Sequence, residues 1–175
     1  MQLLAGDVPD DATLPEFCRK RILVLGCGNV LFGDDGFGPA VVEWLETHCS
    51  PRIPDDVCVL DAGTGARSVL FTLTLSERKP EKLIIVDAVD AGRPPGELFT
   101  LQIDDLPLHK IDDFSVHQLP TSNLLKELHD LCGVDLSIVA CQTERVPDSV
   151  SPGLSERLKD AVPRVCEMLI EGFSS

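Results

Sequence analysis

Clustered positive charge is missing from this sequence: 15 Lys and Arg stand against 29 Asp and Glu, for a net charge of −14 over 175 residues. Phosphate backbones and anionic bilayers are held by grouped Lys and Arg, so charge argues against nucleic acid and membrane as partners. No apolar run approaches the ~20 residues of a membrane span. Residues 1–20 lack both the basic start and the apolar stretch of a secretion signal, and a cytoplasmic location is expected. The seven cysteines are an odd number with no C-x-x-C pair, and several lie in apolar runs. Reduced thiols acting as small hydrophobes are expected, rather than a disulfide framework or a thiolate metal site.

What is there is organised around Arg21 to Leu45, read as a buried strand, a glycine-rich turn and a helix. Ile22 to Leu25 are a short apolar run of the kind covered on both faces of a parallel sheet. Gly26, Gly28 and Gly33 permit sharp turning or close approach, and Phe37, Val41, Trp44, Leu45 and His48 recur at helical spacing. Asp34 and Asp35 therefore fall between a strand's carboxyl end and a helix N-terminus. A dinucleotide pyrophosphate is held by a similar arrangement, and Asp61 could serve as its ribose-binding acid. The fingerprint fails because its third glycine would stand at position 31, which is Leu31. Two carboxylates at a helix N-terminus would also repel a phosphate. One Asp suffices to cap a helix; a second asks for another reason, and a cation is one.

Taken in order, residues 1–20 form an arm and 21–175 a single domain. Val57-Cys-Val-Leu60 is a second strand ending at Asp61, and Leu83-Ile-Ile-Val86 a third ending at Asp87, with an apolar helical face on Ala66, Val69, Leu70 and Leu73 between them. Glu97 to Gln102 reads as an antiparallel edge strand, Asp135 to Cys141 as the last strand, and residues 103–118 as a long loop. A helix follows Ser122, stopped by Gly133, and a terminal helix is expected from Ser151-Pro152 with a kink at Pro163. The fold class expected is α/β: one three-layer α/β/α domain, its mostly parallel twisted sheet of about five strands bearing an antiparallel edge strand, with helices on both faces.

Sites on such sheets lie beyond the carboxyl ends of the strands. Asp35, Asp87 and the loop residue His117 can converge there as two carboxylates and one imidazole, a donor set for a divalent cation. Each has a plainer explanation, as a helix cap, a turn residue and an exposed loop histidine respectively. His48 reads as packing, and His109 and His129 as surface.

Four segments carry a resemblance: Gly26-Cys-Gly-Asn-Val-Leu-Phe-Gly-Asp-Asp-Gly-Phe-Gly38, Asp61-Ala-Gly-Thr64, Val86-Asp-Ala88 and Ser115-Val-His-Gln-Leu119. In order and spacing they resemble the hydrogenase maturation endopeptidases, over about residues 21 to 170. The resemblance implies an aspartyl- or metal-type protease that removes a C-terminal extension from the nickel-loaded large-subunit precursor of nickel-iron hydrogenase. It implies Asp35, Asp87 and His117 as catalytic and metal-contacting residues; beside them Asp34 and Asp61 are candidates for a neighbouring carboxylate that takes a proton, with Gly28 and Asn29 also in support. Nickel would arrive with the substrate, with no organic cofactor. The partner would be the precursor, and the protein a monomer. The wording around Gly36 and Phe37 is similar to an archaeal branch serving deazaflavin-reducing hydrogenases. Alternatives are a non-catalytic, nickel-sensing chaperone of the precursor or a nucleotide-binding α/β domain. No Gly-x-Ser-x-Gly elbow or His-Glu-x-x-His helix supports a serine or zinc protease.

Overall fold

In the computed structural model, which describes residues 13–103 and 122–174, every residue of β1 (Ile22–Cys27) is buried because helices cover both its faces. Its side chains alternate between two cores, Ile22 and Val24 in one, Leu23, Leu25 and Cys27 in the other. After β1 come α2 (Phe37–His48), β2 (Val57–Gly63), α3 (Ala66–Leu75) and β3 (Lys82–Val89), preceded by a short α1 (Glu16–Arg19). The order then continues with β4 (Leu98–Gln102), α4 (Ser122–Asp130), β5 (Asp135–Gln142) and α5 (Glu156–Gly172). The sheet runs β2-β1-β3-β5-β4, parallel except for the β4–β5 pairing. One core takes Phe37, Val41 and Leu45 from α2 with Leu158, Val165 and Leu169 from α5; the other takes Leu70 and Leu73 from α3 and Leu125 and Leu128 from α4. These are the three layers and the antiparallel edge that the sequence leads one to expect.

Two boundaries differ from expectation. The arm is not wholly a surface feature: α1 buries Cys18, and Leu14 and Phe17 pack on the second core. The terminal helix begins at Glu156 rather than near Ser151, because Ser151 is drawn instead into a bridge with Phe32 on the β1–α2 connection. It then runs 17 residues through Pro163. At the other end of the chain's helices the expected stop holds: Gly133 adopts φ +71° and donates its N–H to His129 O at 3.2 Å. All seven cysteines are free thiols, six of them buried.

What places the site is a contact with no side chain in it. A Cβ at Gly38, in the first turn of α2, would lie 2.2 Å from Cys27 O and 2.5 Å from Val86 O, and one at Gly26 would lie 2.6 Å from Gly38 O. The helix start therefore lies directly on the backbones of β1 and β3, and the connection 28–36 has to fold out over the sheet edge. Gly38→Ala is expected to lower stability by at least about 3 kcal/mol, since the neighbours are backbone and cannot yield. Gly172→Ala, with nothing within 4 Å, is expected to be neutral or stabilising by up to about 1 kcal/mol. Urea unfolding midpoints of the two variants check this.

Candidate active site

The strand order reverses its direction of growth at β1, whose neighbours are β2 on one side and β3 on the other. A crevice therefore opens between the carboxyl ends of β1 and β3, the place where ligands bind in open α/β sheets. Asp35 enters it from a 3-10 turn, Gly33–Gly36, and Asp87 from β3 itself. They are 2% and 3% exposed. Gly28 joins them: its φ of +128° and its missing side chain leave room where a Cβ would meet Asp35 O at 1.9 Å and Asp87 Oδ1 at 3.6 Å.

The two acids next to α2 do not cap it. Gly36 occupies the cap position without any side-chain hydrogen bond. Asp35 Oδ2 instead accepts the Asn29 N–H at 2.9 Å. That N–H is one a phosphate would need in a nucleotide turn, so the connection is filled by its own carboxylate. Asn29 also holds the turn through Oδ1, which accepts the Leu31 N–H at 3.0 Å.

Asp34, expected in a supporting role, is held by backbone donors. Its side chain is fully buried, and its Oδ2 accepts the N–H groups of Glu144 at 2.8 Å and Arg145 at 2.6 Å, while Oδ1 accepts that of Ser155 at 2.7 Å. All three donors lie in the segment between β5 and α5. The second acid thus has a structural partner set of three backbone donors. Asp61, exposed in β2, accepts the Gly63 N–H at 2.8 Å. His117, with His109 and the acids of that loop, lies outside the described residues.

Electrostatics sets Asp87 apart. Burial first, then the charge of Asp35, pushes its carboxyl well above the ordinary range, and the 2.8 Å hydrogen bond from Ala88 N–H offsets only part of this. The thiol of Cys27 is likewise driven up, by burial and then by Asp87 and Asp61. It is poorly suited to act as a nucleophile. Among the described residues no group of three or more His, Cys, Asp and Glu is gathered to hold a metal. Asp35 and Asp87 supply two carboxyl donors of such a set. Their environment suits one: a cation between them would relieve the burial and the repulsion that now disfavour the charged form of Asp87.

The residues that sequence reading missed are the partners of Asp34 and a groove beside the pair. That groove encloses about 410 Å³ and is lined by Val30, Val42, Glu43, Glu46, Asp61 and Leu154 among others. The polar, proline-broken stretch from Thr143 to Ser155 was the available signal, since it follows a strand that ends at the same sheet edge.

Known proteins share this architecture. A family profile, HycI hydrogenase maturation protease, matches residues 39–172. MJ0253 of Methanocaldococcus jannaschii is 40% identical over 87% of this chain and 96% of its own length. The coenzyme F420 hydrogenase subunit delta of Methanothermobacter thermautotrophicus is 37% identical over 86% of this chain and 93% of its own. The crystal structure of the [NiFe] hydrogenase maturation protease HycI from Thermococcus kodakarensis superposes with a TM-score of 0.72 at 25% identity, covering 89% of this chain and 94% of that one.

The two buried acids Asp34 and Asp87 are expected to respond oppositely to replacement. Asp34→Ala should cost about 3 kcal/mol, because it strands buried donors. Asp87→Asn should raise the thermal midpoint at neutral pH. The sign follows from linkage: a carboxyl whose folded pKa is raised gives stability that is complete below its unfolded value near 3.9 and is lost as pH rises through the folded one. The gain in Asp87→Asn should therefore shrink toward pH 4, as thermal melts across pH would show.

Proposed function

The chain belongs to the hydrogenase maturation protease family, and from that membership we propose that it is the endopeptidase that removes the C-terminal extension from the nickel-loaded large-subunit precursor of a nickel-iron hydrogenase. The observation that carries this reading is the convergence of Asp35 and Asp87, buried, at the switch point of the sheet. The similarity to a coenzyme F420 hydrogenase subunit supports a precursor of the deazaflavin-reducing, archaeal kind. Among the described residues no helix is long and apolar enough to cross a membrane, and in this reading the protein works as a monomer in the cytoplasm.

In this reading the carboxyls of Asp35 and Asp87, with the imidazole of His117, receive the nickel that the precursor carries. Oxygen and nitrogen donors suit that ion, and three donors without a thiolate would hold it weakly by themselves. Occupancy of the precursor then becomes the condition for cleavage, a discrimination made through differential binding. Bound nickel would supply Lewis acidity toward the scissile carbonyl or an attacking water. The chain's own part is acid–base. When no nickel lies between them, Asp87, whose carboxyl is raised by its surroundings, can give its proton to the leaving amine, and Asp35 can accept one from water. The same pair could share a proton as in an aspartic protease, and the raised Asp87 favours that division of roles.

The test is incubation of the purified protein with nickel-loaded precursor, read by product mass. One shortened product is expected, and Asp35→Ala, Asp87→Ala or His117→Ala should each abolish it while the fold persists. Nickel-free precursor should resist cleavage even when the protease has been preincubated with nickel. Cleavage of nickel-free precursor at a comparable rate would overturn the sensing step and leave Asp35 and Asp87 as a general acid–base pair.

A further inference from the structure

The groove beside the acid pair has no part in the chemistry described so far. Gly33 and Gly36, which bracket Asp34 and Asp35, both line it, so it opens directly next to the catalytic turn. Its floor is apolar, with Val30 from the β1–α2 connection, Val42 from α2 and Leu154 from the segment ahead of α5. Its lining also carries three acids: Glu43 and Glu46 on one side of α2 at helical spacing, and Asp61 from β2. Among the described residues lining the groove there is no Lys or Arg.

The apolar surface continues past the groove. Val30 is 53%, Leu31 46% and Val150 65% exposed. Leu31 and Val150 belong to two segments tied together by the Ser151 N–H, which donates to Leu31 O at 2.8 Å. Three large aliphatic side chains left in water on one edge of the sheet, around a groove that leads to the active site, are the makings of an interaction surface.

Resting on the protease reading above, we propose that this groove seats an extended stretch of the precursor beside the scissile bond, its apolar side chains over Val30 and Leu154 and a Lys or Arg side chain directed to Glu43 and Glu46. Three observations select this occupant. The groove is continuous with the catalytic turn, its volume of about 410 Å³ suits a few side chains rather than a folded domain, and its charge is of one sign. A cationic side chain with an aliphatic stem satisfies the apolar floor and the acids together. A second copy of this chain, at net charge −14, would be repelled.

The test reads binding separately from cleavage. Affinity for nickel-loaded precursor is measured by surface plasmon resonance for the intact protein, Glu43→Lys/Glu46→Lys, Glu43→Gln/Glu46→Gln and Val30→Asp, with circular dichroism to establish folding. Kd should rise at least about tenfold for the charge reversal and for Val30→Asp, and by less for the neutral pair, since like-charge juxtaposition is penalised beyond the loss of attraction. In turnover the loss should fall on KM rather than kcat. A precursor in which Lys and Arg beside the cleavage point are changed to Glu should bind the Glu43→Lys/Glu46→Lys variant better than it binds the intact protein. Affinities within twofold of one another for all variants, or a precursor that does not bind the intact protein, would overturn the proposal. Tight binding without cleavage would overturn the protease reading and leave the groove assignment standing.

Discussion

Three backbone N–H groups converge on the buried carboxylate of Asp34, and the irregular half of the molecule depends on that convergence. Apart from the 3-10 turn Gly33–Gly36, the connection 28–36 and the segment 143–155 lack helix and strand over the sheet edge, so their buried backbone groups need partners from elsewhere. They supply one another. Beyond the Asp34 side chain, the Asp34 N–H donates to Arg145 O at 3.0 Å and the Gly33 N–H to Ser151 O at 2.9 Å. Hydrogen bonds to an acid group are among the stronger ones in proteins, and removing it would leave three backbone donors without their acceptor. Two loops are thereby made into one body, and Asp35, the next residue, is carried on it.

A second constraint fixes where that body stands. Because glycine backbones at positions 26 and 38 touch across β1 and α2, the helix cannot move along the strand without collision. The turn that precedes it is then confined to the crevice beside β3. Asp87 meets Asp35 there as a result of chain path, not of any attraction between them. Their repulsion, added to burial, is an unfavourable arrangement that the surrounding packing must outweigh. Active sites commonly hold such arrangements, and the stability they withhold is the counterpart of reactivity.

Much of the fold was legible because its signals are local. Apolar runs at residues 22–25 and 83–86, helical faces between them, and Pro-rich segments around the edge strand each report their own element. Asp35 and Asp87 were legible for a related reason: strand ends in a parallel sheet converge whatever their sequence separation. The task of Asp34 was not legible, since its partners at 144, 145 and 155 are over a hundred residues away and are backbone groups, which carry no residue-type signature. Adjacent identical acids look alike in sequence. One turns inward to hold a loop and the other faces the crevice, a difference set by the 3-10 geometry of Gly33–Gly36. The late start of α5 has the same origin, because Ser151 pairs with Phe32 and the Ser155 N–H is taken by Asp34.

The raised carboxyl of Asp87 connects stability to the proposed sensing of nickel. Burial and the charge of Asp35 favour the protonated form of Asp87, and a cation between the two carboxyls would work against that, because metal ligands act in their deprotonated form. Free metal therefore competes with both the proton and water for two donors already held in place by the fold. Nickel delivered inside a docked precursor faces a smaller entropic cost, since docking has already brought the ion to the crevice. In the proposed reading, precursor docking and nickel recognition would be one linked equilibrium. Each strengthens the other by the same factor, and a precursor without nickel lacks the term that would draw the proton off Asp87.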